Sequence, residues 1–332
     1  MFHSTSFLGA ISTSLALLLV APMLHAQTTW TTSNPAGNTL ARDWVAMTST
    51  SDKRVVISKQ NLFVSGKSDS TWTQKSWLNA NETSSLALTD VDGSADTKTL
   101  ILCQGFAGKV RLSKDSGDSW TSVDSLGSKD WKFVSSSADG KTLTAYYGLK
   151  LCVSTDSGSS WTEKGLSNIP SAPKLWTPWL AMDAADDGKT LVVATSKNLY
   201  LTTDAGGSWS GVGNPGDLGK NQWRSVAINK DGTRIVAGTQ GGKVYIGTKN
   251  GSTWTWTSTS FTGTWVVACS SDGKTIAAAN YSSGGKKGKI QWSDNDGVTW
   301  TEQAPQGFWT CIGASSDGKF MAGALGEDIH QN

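Results

Sequence analysis

An octapeptide motif recurs along this chain and constrains its fold more than any other feature. The motif reads Ser/Thr-x-Asp-x-Gly-x-Ser/Thr-Trp, and complete copies end at Trp120, Trp161 and Trp209. Looser copies end at Trp72, Trp254 and Trp300, and a bare Thr-Trp-Thr surrounds Trp30. These tryptophans follow one another at intervals of 41 to 48 residues. A period in the forties built of short strands is typical of β-propellers, with one blade in each repeat.

An Asp-Gly pair between two apolar segments precedes most copies of the motif. The pairs stand at 139–140, 187–188, 231–232, 272–273 and 317–318. Asp-Gly favours a hairpin because glycine accepts a positive φ. Each blade is therefore predicted to run strand A, Asp-Gly turn, strand B, loop, strand C, octapeptide turn, strand D. This order predicts an all-β fold, a seven-bladed β-propeller of four-stranded antiparallel blades.

The two ends of the chain each carry an incomplete repeat. The last copy stops after its strand B, near residues 328–330, and the first begins with an isolated strand D at residues 28–32. We expect the N-terminal strand to complete the seventh blade and close the ring. Closure removes sheet edges that would otherwise pair with other chains.

The N-terminus has the pattern of a secretory signal. Residues 4–26 contain no charged side chain, and the apolar segment 15–21 is too short to span a membrane. Because Leu24-His25-Ala26 follows, we predict a signal peptide at 1–26, cleaved near Ala26, and a single secreted β-propeller domain at 27–332. The net charge of +2 gives no reason to expect a nucleic-acid or membrane partner. Secretion permits disulfides, and the pairing of Cys103, Cys152, Cys269 and Cys311 is left open.

The predicted topology places the D-to-A and B-to-C loops on one face, named here the loop face, and both kinds of turn on the other. Binding sites in propellers usually lie on the loop face. Tryptophans recur at the start of strand A, where they either pack between blades or line the mouth of the central channel: Trp44, Trp131, Trp179, Trp223, Trp265 and Trp309. Trp77 and Trp176 break the repeat and are stronger candidates for ligand contact.

Polar donors near these tryptophans are the candidate catalytic groups. Arg42 and Arg224 flank Trp44 and Trp223, and Tyr146 lies near a B-to-C loop. We predict catalytic roles for these two arginines and Tyr146, with solvated rim charges as the alternative for the arginines. Tyr281 is predicted to contact the substrate. The aspartates of the octapeptides are expected to be structural, because a catalytic site needs one arrangement and not several.

Several kinds of chemistry are disfavoured. His330 is the one histidine left after removal of residues 1–26, and no Cys-x-x-Cys occurs. Catalysis by a Ser-His pair and histidine-based metal sites are therefore disfavoured, and neither metal nor cofactor is predicted. Residues 90–96 resemble a short calcium loop, but a solvated insertion is the favoured interpretation. Asn81, Asn250 and Asn280 fit the N-glycosylation pattern, which matters in a eukaryotic host.

The octapeptides resemble the Asp boxes (BNR-like repeats) of sialidase, sortilin, photosystem II assembly-factor and xyloglucan hydrolase propellers. Sialidase activity is rejected, because no Arg-Ile-Pro segment occurs and the five arginines left after residue 26 are scattered. In its signal, length and Trp-rich repeats, the chain is similar to small secreted fungal hetero-Diels–Alderases of tropolonic sesquiterpene pathways. The resemblance implies a pericyclase that joins a tropolone-derived quinone methide to a humulene-type terpene.

Two functions from different classes follow. A cycloaddition needs two apolar reactants held in near-attack geometry and one donor that polarises a carbonyl, which suits a Trp-rich, His-poor channel mouth. The alternative is a non-enzymatic, lectin-like propeller that binds a glycan or a protein. A pericyclase has one site on the channel axis, whereas a lectin has several equivalent sites around the ring.

Overall fold

The computed structural model describes residues 18–22, 31–33, 44–49, 53–66, 71–78, 86–165, 181–195, 198–213, 222–281, 288–307, 309–318 and 320–325. Within these ranges the chain is almost entirely β-strand. The strands of the first half are β1 (Leu18–Pro22), β2 (Thr31–Ser33), β3 (Trp44–Ser49), β4 (Lys53–Ser58), β5 (Leu62–Gly66), β6 (Thr73–Lys75), β7 (Leu88–Gly93), β8 (Leu100–Gln104), β9 (Val110–Ser113), β10 (Thr121–Ser122), β11 (Trp131–Ser136), β12 (Leu143–Tyr147), β13 (Lys150–Ser154) and β14 (Thr162–Gly165).

A single 3-10 turn, Asp124–Leu126, is described between β10 and β11. The strands of the second half are β15 (Ala181–Ala184), β16 (Leu191–Ala194), β17 (Leu199–Thr202), β18 (Ser210–Gly211), β19 (Gln222–Ile228), β20 (Arg234–Gln240), β21 (Val244–Asn250), β22 (Thr253–Ser258), β23 (Trp265–Cys269), β24 (Ile276–Asn280), β25 (Gly288–Ser293), β26 (Thr301–Gly307), β27 (Trp309–Ala314) and β28 (Phe320–Leu325).

Six blades follow the predicted design. Each is an antiparallel sheet of four consecutive strands in the order A-B-C-D: β3–β6, β7–β10, β11–β14, β15–β18, β19–β22 and β23–β26. We number these blades one to six along the chain. The first strand of each blade packs beside the first strand of the next, so the A strands are innermost. The chain is therefore an all-β β-propeller.

The prediction of seven such blades closed by the N-terminal strand is wrong. The chain forms six blades of the predicted kind, and the remaining sheet has the order β2-β1-β28-β27. It combines a C-terminal hairpin with two N-terminal strands, not one, and the whole of β1 pairs with β28, from Leu18 opposite Ala324 to Pro22 opposite Phe320. Closure by residues 28–32 alone is therefore not shown. The physical reason is that, among the described residues, the C-terminal repeat contributes only β27 and β28, and the apolar segment 18–22, assigned from the sequence to the signal peptide, pairs with β28 in the place of strand C.

A line of backbone hydrogen bonds joins successive blades at the Asp-Gly turns. The amide of Ala95 donates to the carbonyl of Ala138, and the amide of Ala138 donates to that of Asp186, both at 2.9 Å. The amide of Asp186 donates in turn to the carbonyl of Lys230 at 3.1 Å, and the amide of Lys230 donates to the carbonyl of Ser271. The turns themselves have the predicted glycine geometry, with φ between 62° and 73° at the second residue of the five Asp-Gly pairs. The blades are therefore linked at this face by main chain as well as by side chains.

The hydrophobic core is divided among the spaces between neighbouring sheets. Between blades two and three, for example, Ile101 and Val110 pack with Trp131 and Leu143, all of them fully buried. Burial of apolar surface contributes about 25 cal/mol per Å², so these interfaces hold the ring together. No helix in the part of the chain that the structure describes is long and apolar enough to cross a membrane.

Candidate functional site

A β-bulge recurs near the loop-face end of the innermost strands. In β19 the pairing with β20 shifts between Trp223 and Ser225, which leaves Arg224 as an extra residue. Equivalent shifts occur in β3, β7, β11 and β27. A bulge interrupts the ladder and re-aims a side chain. The extra residues at these bulges are Val45, Thr89, Lys132, Arg224 and Thr310.

Arg224 is brought against Tyr281 of the next blade. The guanidinium carbon lies 5.1 Å from the centre of the Tyr281 ring, within the range of a cation–π contact. Both side chains are partly buried. Burial lowers the pKa of Arg224 to about 10, opposed by its attraction to Tyr281. The group therefore stays cationic at neutral pH, but it is less well hydrated than a surface arginine.

The position of Tyr281 is fixed by main-chain contacts. Its amide donates to the carbonyl of Thr264 at 2.6 Å. The amide of Thr264 donates to Oδ1 of Asn280 at 3.2 Å, and its hydroxyl accepts the amide of Gly241 at 3.2 Å. These contacts tie the end of β24 to the segment before β23 and to the loop after β20. Arg224 and Tyr281 are thus two predicted site residues that the structure brings together.

The strand-A tryptophans pack between blades, the first of the two interpretations given above. Five of them have exposures of 3% or less: Trp44, Trp131, Trp223, Trp265 and Trp309. Two donate their indole N–H to backbone, Trp265 to Gly242 at 3.0 Å and Trp309 to Gly288 at 3.2 Å. Others meet aromatic neighbours edge-on, as Trp131 meets Tyr147 at 4.8 Å. Such buried indoles offer little surface to a ligand.

Two further predicted site residues are also committed to the core. Trp77 is 4% exposed, donates to the carbonyl of Gln60 at 3.0 Å, and lies under the guanidinium of Arg111 at 5.7 Å. Tyr146 is fully buried, donates its hydroxyl to the carbonyl of Gly148, and stacks on Phe133 at 5.9 Å. Neither arrangement leaves the polar atom directed at a ligand. Arg42, Trp176 and Trp179 lie outside the described residues.

The octapeptide turns have the structural role expected of them. In the copy ending at Trp209, Oδ1 of Asp204 accepts the amide of Ser208 at 2.8 Å and the hydroxyl of Thr202 at 2.7 Å. The same bonds occur around Asp115 and Asp156. Hydrogen bonds from the following serine or the preceding Ser/Thr lower the pKa of all three carboxyls to about 2.

The segment 90–96 is solvated only at its end, which corrects that interpretation: residues 90–93 belong to a buried strand, and Asp96 is exposed in the turn that follows. Asp90 and Asp92 lie in β7 and are each 1% exposed. Asp90 accepts the amide of Val134 at 3.0 Å, and Asp92 accepts the hydroxyl of Thr48 at 3.0 Å and the amide of Ser136 at 2.9 Å. These carboxylates join the inner strands of three successive blades. In the described ranges, no group of three or more His, Cys, Asp or Glu is placed to hold a metal ion.

The cysteines and the glycosylation triplets can be placed in part. Cys103, Cys152, Cys269 and Cys311 are all buried thiols that form no disulfide in this structure. Asn250 is exposed at the end of β21, which is compatible with modification. Asn280 is partly buried and its side chain packs on Gly263 and Thr264, which is a poor position for a glycan. Asn81 lies outside the described residues.

The fold has many relatives among solved structures, whereas no protein-family model and no curated protein matches the sequence. YCF48 from Cyanidioschyzon merolae matches with a TM-score of 0.62 and 14% identity, over 87% of this chain and 98% of that one. The GH74 enzyme of Niastella koreensis gives 0.59 and 16%, over 77% of this chain and 44% of that one. The Cps50 (Swd1) β-propeller domain of Myceliophteria thermophila gives 0.58 and 11%, over 85% and 96%. These likenesses show a β-propeller, and the chain spans less than half the length of the GH74 enzyme.

Proposed function

We propose that this protein is a ligand-binding β-propeller that takes a small organic molecule with a carboxylate or carbonyl group at Arg224 and Tyr281 on its loop face. The observation that supports it is the stacking of the Arg224 guanidinium on the Tyr281 ring across two blades. Arginine offers a planar fork of N–H donors that matches paired oxygens. The aromatic ring beside it offers an apolar surface to the rest of the ligand.

The environment of Arg224 strengthens this proposal. A bulge makes Arg224 the extra residue of β19, and partial burial reduces the hydration of its charge. A cation in a medium of lower dielectric constant attracts an anion or a carbonyl dipole more strongly than it does in water. The hydrogen bond from the Tyr281 amide to Thr264 fixes the backbone at this position, and the ring lies against Arg224, so the site is partly ordered before binding.

A hetero-Diels–Alder cycloaddition is the second candidate, and Arg224 is the feature that favours it. A guanidinium donor can stabilise the charge that grows on a carbonyl oxygen during such a reaction. The buried strand-A tryptophans and Tyr146 would not contribute to it. In this form of the proposal the reactants lie on Tyr281, and Arg224 binds the quinone methide oxygen.

Secretion after cleavage near Ala26, and glycosylation at Asn81 and Asn250, remain predictions.

Titration calorimetry with tropolone, which is an aromatic, oxygen-rich probe, tests the binding proposal. We expect Arg224→Gln to weaken binding by roughly tenfold or more, which corresponds to one lost charge-assisted contact. Tyr281→Leu should weaken it less. Lys274→Gln removes an exposed charge on the opposite face and serves as the matched control. Equal affinities for wild type and Arg224→Gln, or no binding at all, would contradict the proposal.

The catalytic candidate has a separate test. The protein is incubated with a tropolone-derived quinone methide precursor and humulene, and the stereochemical purity of the adduct is measured. A racemic product with wild type would end the catalytic proposal without affecting the binding proposal. A single enantiomer that becomes racemic with Arg224→Gln would support it.

A further inference from the structure

We infer that a second surface on the loop face, formed by blades two and three, docks an acidic segment of a partner protein that carries an apolar side chain. This surface consists of Phe106, Lys129, Lys132, Tyr147 and Leu149, and we name it the Phe106 surface. It is separate from the Arg224–Tyr281 pair, which lies on blades five and six.

Phe106 is displayed to solvent at the tip of the loop between β8 and β9. Its side chain is 69% exposed, although phenylalanine is usually a core residue. Phe106 and Ala107 both have left-handed backbone conformations, with φ of 51° and 64°. For residues with a side chain, such conformations cost roughly 1–2 kcal/mol each. Strain of this kind, retained at an exposed aromatic residue, points to a function.

Neighbouring groups hold Phe106 in this exposed position. Its amide donates to Oδ1 of Asp130 at 2.9 Å. The ammonium of Lys132 lies 5.4 Å from the centre of its ring and also pairs with Asp130 at 2.8 Å. Lys132 is the bulged residue of β11. The ring is therefore presented in a fixed place, and a fixed aromatic anchor loses little entropy on binding.

The surface continues from Phe106 to the next hairpin. Lys129 joins the Phe106 loop by a backbone bridge to Gly108, with an N–O distance of 3.0 Å. Its ammonium lies 5.7 Å from the centre of the Tyr147 ring. Leu149, two residues beyond Tyr147 at the tip of the β12–β13 hairpin, is 52% exposed. Two exposed apolar side chains, Phe106 and Leu149, thus lie at the tips of two loops, with Lys129 and Tyr147 between them.

The charge at the Phe106 surface indicates which kind of partner it binds. Three lysines are paired with carboxylates: Lys109 with Asp124, Lys132 with Asp130, and Lys150 with Glu163. Lys129 is exposed and forms no salt bridge with any residue that the structure describes, although it attracts the Glu163 carboxylate that already pairs with Lys150. These four lysines face three carboxylates, so this part of the loop face carries one positive charge in excess. A partner with a carboxylate opposite Lys129, and an apolar side chain against Phe106 or Leu149, complements both features.

Panning a phage-displayed library of random dodecapeptides on the purified full chain tests this inference. We expect enrichment of peptides that combine acidic residues with an aromatic or large aliphatic residue. The selected peptides are then synthesised, and their affinities are measured by fluorescence anisotropy at two salt concentrations. Binding should weaken as salt rises, because exposed charges are screened.

Three variants assign the binding to this surface. Phe106→Asn removes the ring but keeps a residue that tolerates the left-handed conformation, and Lys129→Glu reverses the excess charge. We expect each to reduce affinity at least tenfold while the protein stays folded, with a melting point lowered by no more than a few degrees through loss of the exposed cation–π contact. Val298→Asn is the matched control, because Val298 is 78% exposed at an octapeptide turn on the opposite face.

Several results would overturn the inference. Lack of enrichment, enrichment of peptides without acidic residues, or affinities unaffected by Phe106→Asn and Lys129→Glu would each do so. Sedimentation that shows a dimer abolished by Phe106→Asn would identify a second copy of this chain as the occupant instead. Binding to vesicles containing phosphatidylserine, but to no peptide, would identify a lipid surface. The tropolone titration uses a different pair of residues, so either proposal can fail alone.

Discussion

The buried carboxyl group of Asp183 accepts the backbone amide of Ile228 on the inner strand of the next blade, at 2.8 Å. Its other oxygen accepts the amide of Ala184, also at 2.8 Å. Asp92 makes the equivalent contact between blades two and three, with the amide of Ser136. Inner strands lack a ladder with their neighbours in the ring, so these side chains supply hydrogen bonds that would otherwise be missing.

This contact predicts a pH dependence of stability. Burial raises the pKa of Asp183 well above its usual value. A raised pKa in the folded state means that the contribution of Asp183 is fully present below the unfolded value of about 4 and declines as the pH rises above it. Asp183→Asn keeps one acceptor and cannot ionise. We expect it to cost about 1–3 kcal/mol at pH 5 and less at pH 8, as measured by urea unfolding.

The control for this prediction is Asp231→Asn, which alters an exposed carboxyl at an Asp-Gly turn. Its difference in unfolding free energy from wild type should be near zero at both pH values. If Asp183→Asn costs the same at pH 5 and pH 8, ionisation of Asp183 does not contribute to stability in this range.

The aspartates of the octapeptide turns should affect the pH dependence of stability in the opposite direction. The pKa of Asp204 is lowered to about 2, so the stability it supplies is present above the unfolded value of about 4 and is lost as the pH falls toward 2. Asp204→Ala should cost on the order of 1 kcal/mol at pH 7. The difference from wild type should shrink as the pH approaches 2. Thermal melts at pH 7 and pH 2.5 measure it.

The sixth blade offers a natural control for this turn. Asn295 stands where the three complete copies have aspartate, and its Oδ1 accepts the amide of Thr299 at 2.9 Å. Its amide nitrogen donates to the Thr299 hydroxyl at 2.7 Å. Asp204→Asn should therefore keep the turn and lose less stability than Asp204→Ala. Equal losses for the two variants would show that the hydrogen bond to the amide of Ser208 is unimportant.

Local features of the sequence predicted the blades well, whereas contacts across blades were not predictable from it. The octapeptide and Asp-Gly turns are encoded within a few residues, so their geometry could be inferred directly. The pairing of Arg224 with Tyr281 depends on a bulge and on residues 57 positions apart in the chain. The exposure of Phe106 was missed because a single phenylalanine in the segment Gly105-Phe106-Ala107-Gly108 gives no periodic signal. Residues 18–22 are apolar enough for either a signal peptide or a strand, and the sequence does not distinguish them.

Because the blades approach closely at the Asp-Gly turns, we expect two glycine-to-alanine substitutions to differ in their cost to stability. Gly232 and Gly251 have similar φ values, 67° and 63°. A Cβ at Gly232 would lie 2.7 Å from Cγ2 of Thr190 in the preceding blade, while one at Gly251 would meet nothing within 4 Å. Gly251→Ala should cost about 1 kcal/mol from backbone strain alone. Gly232→Ala should cost clearly more, as measured by urea unfolding, and equal losses would show that Thr190 moves aside freely.

Burial of the four cysteines predicts thiols that are unreactive until the protein unfolds. Burial raises the pKa of Cys103 well above its usual value, and that of Cys152 to about 11. Reaction with a thiol reagent proceeds through the thiolate, so both burial and the raised pKa slow it. We expect native protein at pH 8 to react slowly with Ellman's reagent and unfolded protein to release four equivalents. Fewer than four in the unfolded state, without reductant, would reveal a disulfide.

The sheet β2-β1-β28-β27 predicts that removal of residues 1–26 affects stability. Those residues include β1, which pairs with β28 on one side and β2 on the other. Without β1, five residues of β28 lose their ladder partner and a sheet edge is exposed. We expect the chain 27–332 to melt at a lower temperature than the full chain and to aggregate more readily. A chain that begins at residue 13, and so retains β1, is the matched control. If both shortened chains melt with the full chain, β1 adds nothing to the stability of the propeller, and its removal as a signal peptide is compatible with a stable secreted domain.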